Sequence, residues 1–178
     1  MTLVVVTGVP GSGKTTLASA LARRIGVAFL SLDAIKEELA HDAPQTPREW
    51  LRQDAEAELF RRLTAFAGEA VVDIWVAPRR DTARVAGLLA PWWQDVVEVR
   101  CEVPADVAVE RYAARDRGWP HLPADQQTLR RIRTAVAHPE PLEAPRTVVV
   151  DTTHRVPVAS LARTLRAETR ARVGFTAP

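Results

Sequence analysis

One short run constrains this chain more than anything else in it: Gly8-Val9-Pro10-Gly11-Ser12-Gly13-Lys14-Thr15, set between an apolar stretch and a helix-forming stretch. It fits G-x-x-x-x-G-K-[ST], the Walker A pattern. Residues 3–7, just before it, are β-branched and apolar with no polar alternation, the mark of a strand buried on both faces. Residues 14–24, within and after it, read as a helix that ends near Gly26. Glycines let the backbone curl so that successive N–H groups point inward, and the helix adds its free N–H groups and positive dipole end. The product is a P-loop, a nest for a phosphate chain. Gly8, Pro10, Gly11, Ser12, Gly13, Lys14, Thr15 and Thr16 are the expected nucleotide-binding residues, with Lys14 on the outer phosphates and the Thr15 hydroxyl on Mg²⁺.

The rest of the chain alternates in period. Further strands are expected at 27–32, 70–76, 96–103 and 147–150, and further helices from 35 to about 40 and at 48–67, 81–89, 105–117, 125–136 and 158–172. Strands separated by helices predict a parallel sheet covered on both faces, a three-layer α/β P-loop NTPase fold with five strands. The 178 residues suit one domain spanning 1–178, with a cap near 41–67 and a lid near 111–145. Basic and acidic residues nearly balance, 24 against 22, so charge alone implies no nucleic-acid partner. Only Lys14 and Lys36 are lysines; the remaining basic residues are arginines. The lone Cys101 excludes an internal disulfide; it reads as a buried strand residue and suits a reducing, cytoplasmic setting. No signal-peptide pattern and no apolar run of membrane-spanning length is present. The four histidines lack metal-ligand spacing and read as surface or loop residues.

A P-loop does not by itself separate kinases from GTPases, motors or switches. Asp33 narrows the choice. It follows the second strand and so sits at the carboxyl edge of the sheet, where ligands bind in open α/β folds. A carboxylate there can orient an acceptor hydroxyl and take its proton. Its other reading is a helix N-cap, and the two roles can coexist.

Here the residues resemble a known group. The run 3–16, followed by Leu30-Ser31-Leu32-Asp33-Ala34-Ile35-Lys36, is similar to the small P-loop kinases of the AAA-type ATPase and kinase group: chloramphenicol phosphotransferase, gluconate kinase, zeta toxins and the kinase domain of polynucleotide kinases. The stretch 97–104 with Glu110-Arg111-Tyr112-Ala113-Ala114-Arg115-Asp116-Arg117 resembles their fourth strand and arginine-bearing lid helix. Val148-Val149-Val150-Asp151-Thr152-Thr153 resembles the last strand and its nucleotide-facing turn. Residues 42–70 resemble it least. The resemblance implies ATP and Mg²⁺ as cofactors and assigns the catalytic base to Asp33.

Several further groups of residues carry the remaining expectations. Asp73 is the nearest Walker B carboxylate and, if its strand lies beside the P-loop strand, a holder of Mg²⁺-bound water; it departs from the pattern because Glu69 and Ala70 precede its two valines. Arg111 and Arg115, four apart, share a helix face, with Arg117 beyond; over the nucleotide they would offset phosphoryl charge, whereas on a solvated face they would pair with Glu110 and Asp116. Asp33, Lys14 and Arg115 form the expected catalytic set, with Arg111, Arg115 and Thr152 at the nucleotide. Residues 151–155 are expected to border the adenine through backbone. Trp75 and Trp119 are the better candidates, among Trp50, Trp75, Trp92, Trp93 and Trp119, to line an acceptor pocket rather than the core, and Arg79 and Arg80 could meet an anionic acceptor.

The expected function is phosphotransfer from ATP to a hydroxyl of a small-molecule metabolite or antibiotic. ATP is favoured over GTP because no Asn-Lys-x-Asp guanine-reading signature occurs. A nucleotide or polynucleotide 5′-end kinase would need a basic groove and steep salt dependence. A non-catalytic switch would show no acceptor-stimulated turnover. A toxin kinase acting on a cell-wall sugar nucleotide is a third alternative.

Overall fold

The computed structural model describes residues 3–115 and 118–173, with backbone alone for 167–173. Asp116 and Arg117 therefore lie outside the described residues. Five strands form one parallel sheet in the order β2-β3-β1-β4-β5. They are β1 Leu3–Thr7, β2 Ala28–Ser31, β3 Ala70–Asp73, β4 Val96–Glu102 and β5 Arg146–Asp151. The helices are α1 Lys14–Ile25, α2 Leu32–Asp42, α3 Arg48–Ala65, α4 Thr82–Leu89, α5 Ala105–Ala113, α6 Gln126–Ala137 and α7 Val158–Val173.

β1 lies at the centre, and every one of its residues is buried. Because side chains alternate across a strand, it feeds two cores. Leu3 and Val5 join Val72, Ile35, Leu59 and Leu89 under α2, α3 and α4. Val4 and Val6 join Val71, Val99, Leu21 and Leu165 under α1 and α7. This two-sided burial is why the strand sequences lack polar alternation. A third cluster, with Val103, Ala108, Val109, Tyr112 and Ile132, joins α5 to α6 and reaches Val9 of the P-loop.

In α3, Leu51, Ala55, Leu59 and Leu63 recur every four residues and are buried, so burial of one face drives that helix. Trp50 and Phe66 fall off the stripe and are exposed. The structure also corrects several expected boundaries. β3 ends at Asp73 rather than 76, because its partners run out at Ser31 and Val6, although the Ile74 N–H still reaches the Val6 carbonyl. α5 ends at Ala113, short of 117, so Arg115 stands in a bend beyond the helix rather than on its face with Arg111. The tryptophan pair 92–93 sits in a 3₁₀ turn, Ala90–Asp95, absent from the sequence reading, and both rings pack on the α3–α4 core. No described helix is long and apolar enough to cross a membrane.

Candidate active site

The P-loop leaves β1 at Thr7 and enters α1 at Lys14. Gly11 has φ +87 and packs so closely on α5 that a Cβ would overlap the Ala108 carbonyl; glycine is required there by conformation and by space. The Ser12 N–H closes the turn on the Val9 carbonyl at 3.0 Å. The residue capping α1 is Gly13, which has no side chain to bond the first helical N–H groups. Those donors remain open at the loop, as a phosphate nest needs. Lys14 is buried, Thr15 half-buried and Thr16 exposed in the first turn.

The loop is fastened from the side of the last strand. The Thr152 hydroxyl lies 2.6 Å from the Ser12 carbonyl and 3.1 Å from that of Glu102. Arg111 donates to the carbonyls of Thr152 and Thr153 at 3.0 and 2.7 Å, and its Nη1 would lie 3.9 Å from a Cβ on Gly13. Arg111 and Thr152 thus stand together beside the P-loop, bound to backbone. Arg111 makes no ion pair with Glu110, and the other expected partner, Asp116, lies outside the described residues.

Asp73 is in register with Val6 of β1 and Ser31 of β2, so its strand does lie beside the P-loop strand. Its Oδ2 accepts from the Ser31 hydroxyl at 3.1 Å, while Oδ1 is buried without a partner, as is the Ser12 hydroxyl. An unsatisfied buried polar atom costs roughly 1–3 kcal/mol or more if charged, so two of them beside a phosphate nest point to a polar guest. Behind them packs Cys101, buried as expected. Desolvation pushes its thiol up to about 12; the Lys14 charge opposes the rise and Asp73 reinforces it.

Asp33 lies in the first turn of α2, one residue inside the helix. The cap is Ser31, whose hydroxyl accepts the Ala34 N–H at 3.4 Å, a contribution of about 1 kcal/mol. The capping alternative for Asp33 is thereby removed. Its carboxylate sits 3.6 Å from the Lys36 ammonium. Asp33 and Lys14 line one cleft of about 380 Å³, which Arg52, Trp75, Arg115 and Arg131 also line.

Arg52 is held there by ion pairs. It donates to Glu56 at 3.0 Å, to Asp81 at 3.0 Å and to the Trp75 carbonyl at 3.2 Å. Arg80 and Arg84 also bond Asp81, Arg84 reaches Glu56, and the Ala77 N–H donates to Asp81 at 3.1 Å. Burial alone would raise the Asp81 carboxyl, but the Arg80 bond, the Arg52 charge and the Ala77 N–H together hold it below the ordinary carboxylate range. Desolvation lowers the Arg52 guanidinium, against the pull of Asp81.

Residues 118–123 close the cleft from the other side. His121 Nε2 lies 2.6 Å from Glu37 Oε1, the Tyr112 hydroxyl donates to the Leu122 carbonyl at 2.7 Å, and the Arg48 guanidinium stands 4.8 Å from the Trp119 ring centre. His121 is therefore buried, which corrects its reading as a surface residue. Trp75 lines the cleft, as expected. Trp119 is exposed, in contact with Arg48, and Trp50 is exposed against the 43–47 turn. Arg52, His121 and Tyr112 escaped the sequence reading, because no local pattern distinguishes them from other residues of amphipathic helices and loops.

The architecture defines the class: a P-loop α/β protein with a buried carboxylate, Asp73, on the strand beside the loop strand. The chain belongs to the AAA domain family AAA_33, whose model matches residues 3–139. Among solved structures it is similar to a candidate kinase from Chloroflexus aurantiacus, with a TM-score of 0.72, 23% identity and 93% and 97% of the two chains covered. It is also similar to a gluconokinase from Sinorhizobium meliloti (TM-score 0.62, 21% identity, 98% of each chain). A third is shikimate kinase from Acinetobacter baumannii in complex with shikimate (TM-score 0.62, 20% identity, 97% and 94% covered). No curated protein matches the sequence. Family and fold bear out the resemblance to the small P-loop kinases.

Proposed function

We propose that this chain is a kinase that moves the γ-phosphoryl group of ATP to a hydroxyl of a small molecule. The observation that carries the proposal is that Asp33 and Lys14 face one cleft, which joins the phosphate nest to a walled space large enough for a small acceptor. The fold shared with a gluconokinase and a shikimate kinase supports it.

In this reading the open N–H groups of the P-loop and α1 bind the phosphates, and Lys14 offsets charge on the transferring group. Asp33 accepts the proton of the acceptor hydroxyl as the new oxygen–phosphorus bond forms and the bond to the β-phosphate oxygen breaks. Arg115 adds positive charge from the cleft wall, and Arg111 with Thr152 holds the turn beside the nucleotide. Residues 41–67 act as cap and 111–145 as lid of a single domain spanning 1–178, excluding water.

Magnesium fits the residues present. The Thr15 hydroxyl and the Asp73 carboxylate are hard oxygen donors, and Asp73 Oδ1 lacks a partner. Thr15 would hold the ion directly and Asp73 through a water. When bound, the ion supplies charge neutralisation at the phosphates.

An ADP-release screen of hydroxylated metabolites, nucleosides and antibiotics, with product mass confirmed, tests the reading. Asp33→Asn then separates transfer from binding. ATP affinity should hold while acceptor-dependent ADP release falls about 10²–10⁴-fold, the span of general base catalysis. Equal transfer rates in the two proteins would remove Asp33 from the mechanism.

A further inference from the structure

The cleft at Asp33 is only part of the concavity at this end of the sheet. It shares a wall, made by Trp75, Arg80, Leu122 and Arg131, with a second chamber of about 1120 Å³ against its own 380 Å³. One side of this chamber is the turn at 77–80 that follows β3. The other is a face of α6, on which Gln126 and Arg130, and Gln127 and Arg131, recur at i, i+4 spacing.

The chamber is lined by four arginines, Arg79, Arg80, Arg130 and Arg131, and one carboxylate, Glu140. Two of the four are engaged. Arg80 bonds Asp81, and Arg130 reaches Gln126 at 3.2 Å. Glu140 is spent on the backbone: its Oε2 accepts the Arg79 N–H at 2.5 Å. That contact helps hold Arg79 at φ +62, a left-handed conformation that arginine rarely adopts. The guanidinium groups of Arg79 and Arg131 have no hydrogen-bond or ion-pair partner among the described residues. Elsewhere on α6, Arg133 finds a carboxylate in Asp106. Of the four chamber arginines, Arg79 and Arg131 are the two whose guanidinium groups bond no protein atom among the described residues, although Arg131 shares the electrostatic field of Asp125.

We propose that the acceptor carries an anionic group, a carboxylate or a phosphate, remote from the hydroxyl presented to Asp33, and that Arg131 at the shared wall and Arg79 beyond it bind that group. The inference rests on the kinase reading and adds to it the class of acceptor. A guanidinium offers paired N–H donors that match a carboxylate or phosphate edge. Within a concavity the attraction is screened less than on an open surface. Arg131 lines both spaces, so it can hold an anion in one while the hydroxyl lies in the other.

Three probes of similar size and differing charge test this: glucose, gluconate and glucose 6-phosphate, each titrated calorimetrically into protein saturated with ADP and Mg²⁺. The expected result is about ten- to a hundredfold tighter binding of at least one anionic probe than of glucose, the worth of a hydrogen bond to a charged group. Preference for gluconate identifies a carboxylate, and preference for glucose 6-phosphate a phosphate. Arg131→Gln should erase the advantage and Arg79→Gln should reduce it, with ADP affinity and melting temperature unchanged in both. Equal affinities, an advantage that survives Arg131→Gln, or no binding of any probe overturns the proposal. ADP release with the same compounds is read separately. Turnover without anion preference removes this inference and leaves the kinase. Anion binding that depends on Arg131, with no transfer to any acceptor in the wider screen, removes the kinase and leaves the chamber.

Discussion

The two ends of the cleft are built on opposite plans. At the P-loop end one contiguous run does the work through backbone, with Gly11 against Ala108, the Ser12 carbonyl tied to Thr152, and N–H groups left open at the start of α1. At the arginine end, side chains from α2, α3, the turn after β3 and α6 converge, held by ion pairs such as Arg52 with Asp81. The difference follows from the guests proposed for each end. A phosphate chain is the same in every such reaction, and backbone N–H groups, which nearly every residue carries, suffice to meet it. An acceptor must be told apart from its competitors, and only side chains can do that.

If the P-loop end depends on one side chain beyond its backbone, that side chain is Lys14. Lys14→Ala should lower turnover by about 10²–10³-fold or more, the cost of losing one preorganised donor at developing charge. ATP binding should weaken, and the melting temperature should hold because the buried methylene stem is replaced at the rim of the core. Wild-type turnover in this variant would break the comparison at its stronger end.

The arginine end should fail differently, through stability and acceptor binding together. Asp81→Asn leaves Arg52, Arg80 and Arg84 short of a shared carboxylate. Breaking a fully buried pair costs about 3–5 kcal/mol, but Arg80 and Arg84 are 57% and 43% exposed, so about 1–3 kcal/mol is expected. The Asp81 carboxyl is depressed in the folded state, so its contribution is present above the unfolded value, near ~4, and is lost as pH falls through the lower folded value. Urea midpoints at pH 7 and along an acid series should show the wild-type advantage and then its decay below about pH 4. Acceptor kcat/KM should fall more than ATP affinity. Unchanged midpoints at pH 7 would mean that solvent replaces this network at no cost.

The same contrast explains what was legible in the sequence. The P-loop and the five strands are local or periodic properties, readable from residues 3–15 and from apolar runs. Asp33 was readable because strand 2 places it at the sheet edge. Asp73 was ambiguous because its role depends on which strand neighbours β1, and that is set by topology. Arg52, His121 and Arg131 could not be singled out, since each acquires meaning from a segment far along the chain: Arg52 from Asp81, His121 from Glu37, Arg131 from the turn at 77–80. Even Arg111 and Arg115, read together from their spacing, are separated by the end of α5, one bound to backbone and the other in the cleft wall.

Arg115 stands where the two ends meet, and its substitution sharpens the boundary between them. It is exposed beyond α5, so solvent screens it in the resting protein. Arg115→Ala should reduce kcat by about tenfold and raise the acceptor KM less, since the contact strengthens as charge develops. An intact kcat would assign Arg115 to the surface. A rise confined to the acceptor KM would assign it to acceptor binding alone.

The smallest expected effect at neutral pH tests whether the P-loop end is as closed as its backbone contacts imply. Cys101 packs directly behind the loop, where a Cβ on Gly8 would come within 2.8 Å of its carbonyl. Burial pushes its thiol up to about 12, and Lys14 opposes that only in part. Relative to an unfolded thiol near ~8.5, the thiolate fraction at pH 8 should fall by roughly 10³, so a thiol-reactive dye should label the native protein about that much more slowly than the denatured chain. The same shift sets a sign on stability. The folded pKa lies above the unfolded one, so the contribution is complete below about 8.5 and is lost as pH rises toward the folded value. Cys101→Ala should therefore differ little from wild type at pH 7, and its stability should fall less steeply above pH 9. ADP and Mg²⁺ should slow labelling further if they hold the loop closed. Labelling at the denatured rate, with or without ADP, would show that the loop opens from behind, and the contrast between a closed backbone end and an adjustable side-chain end would not survive it.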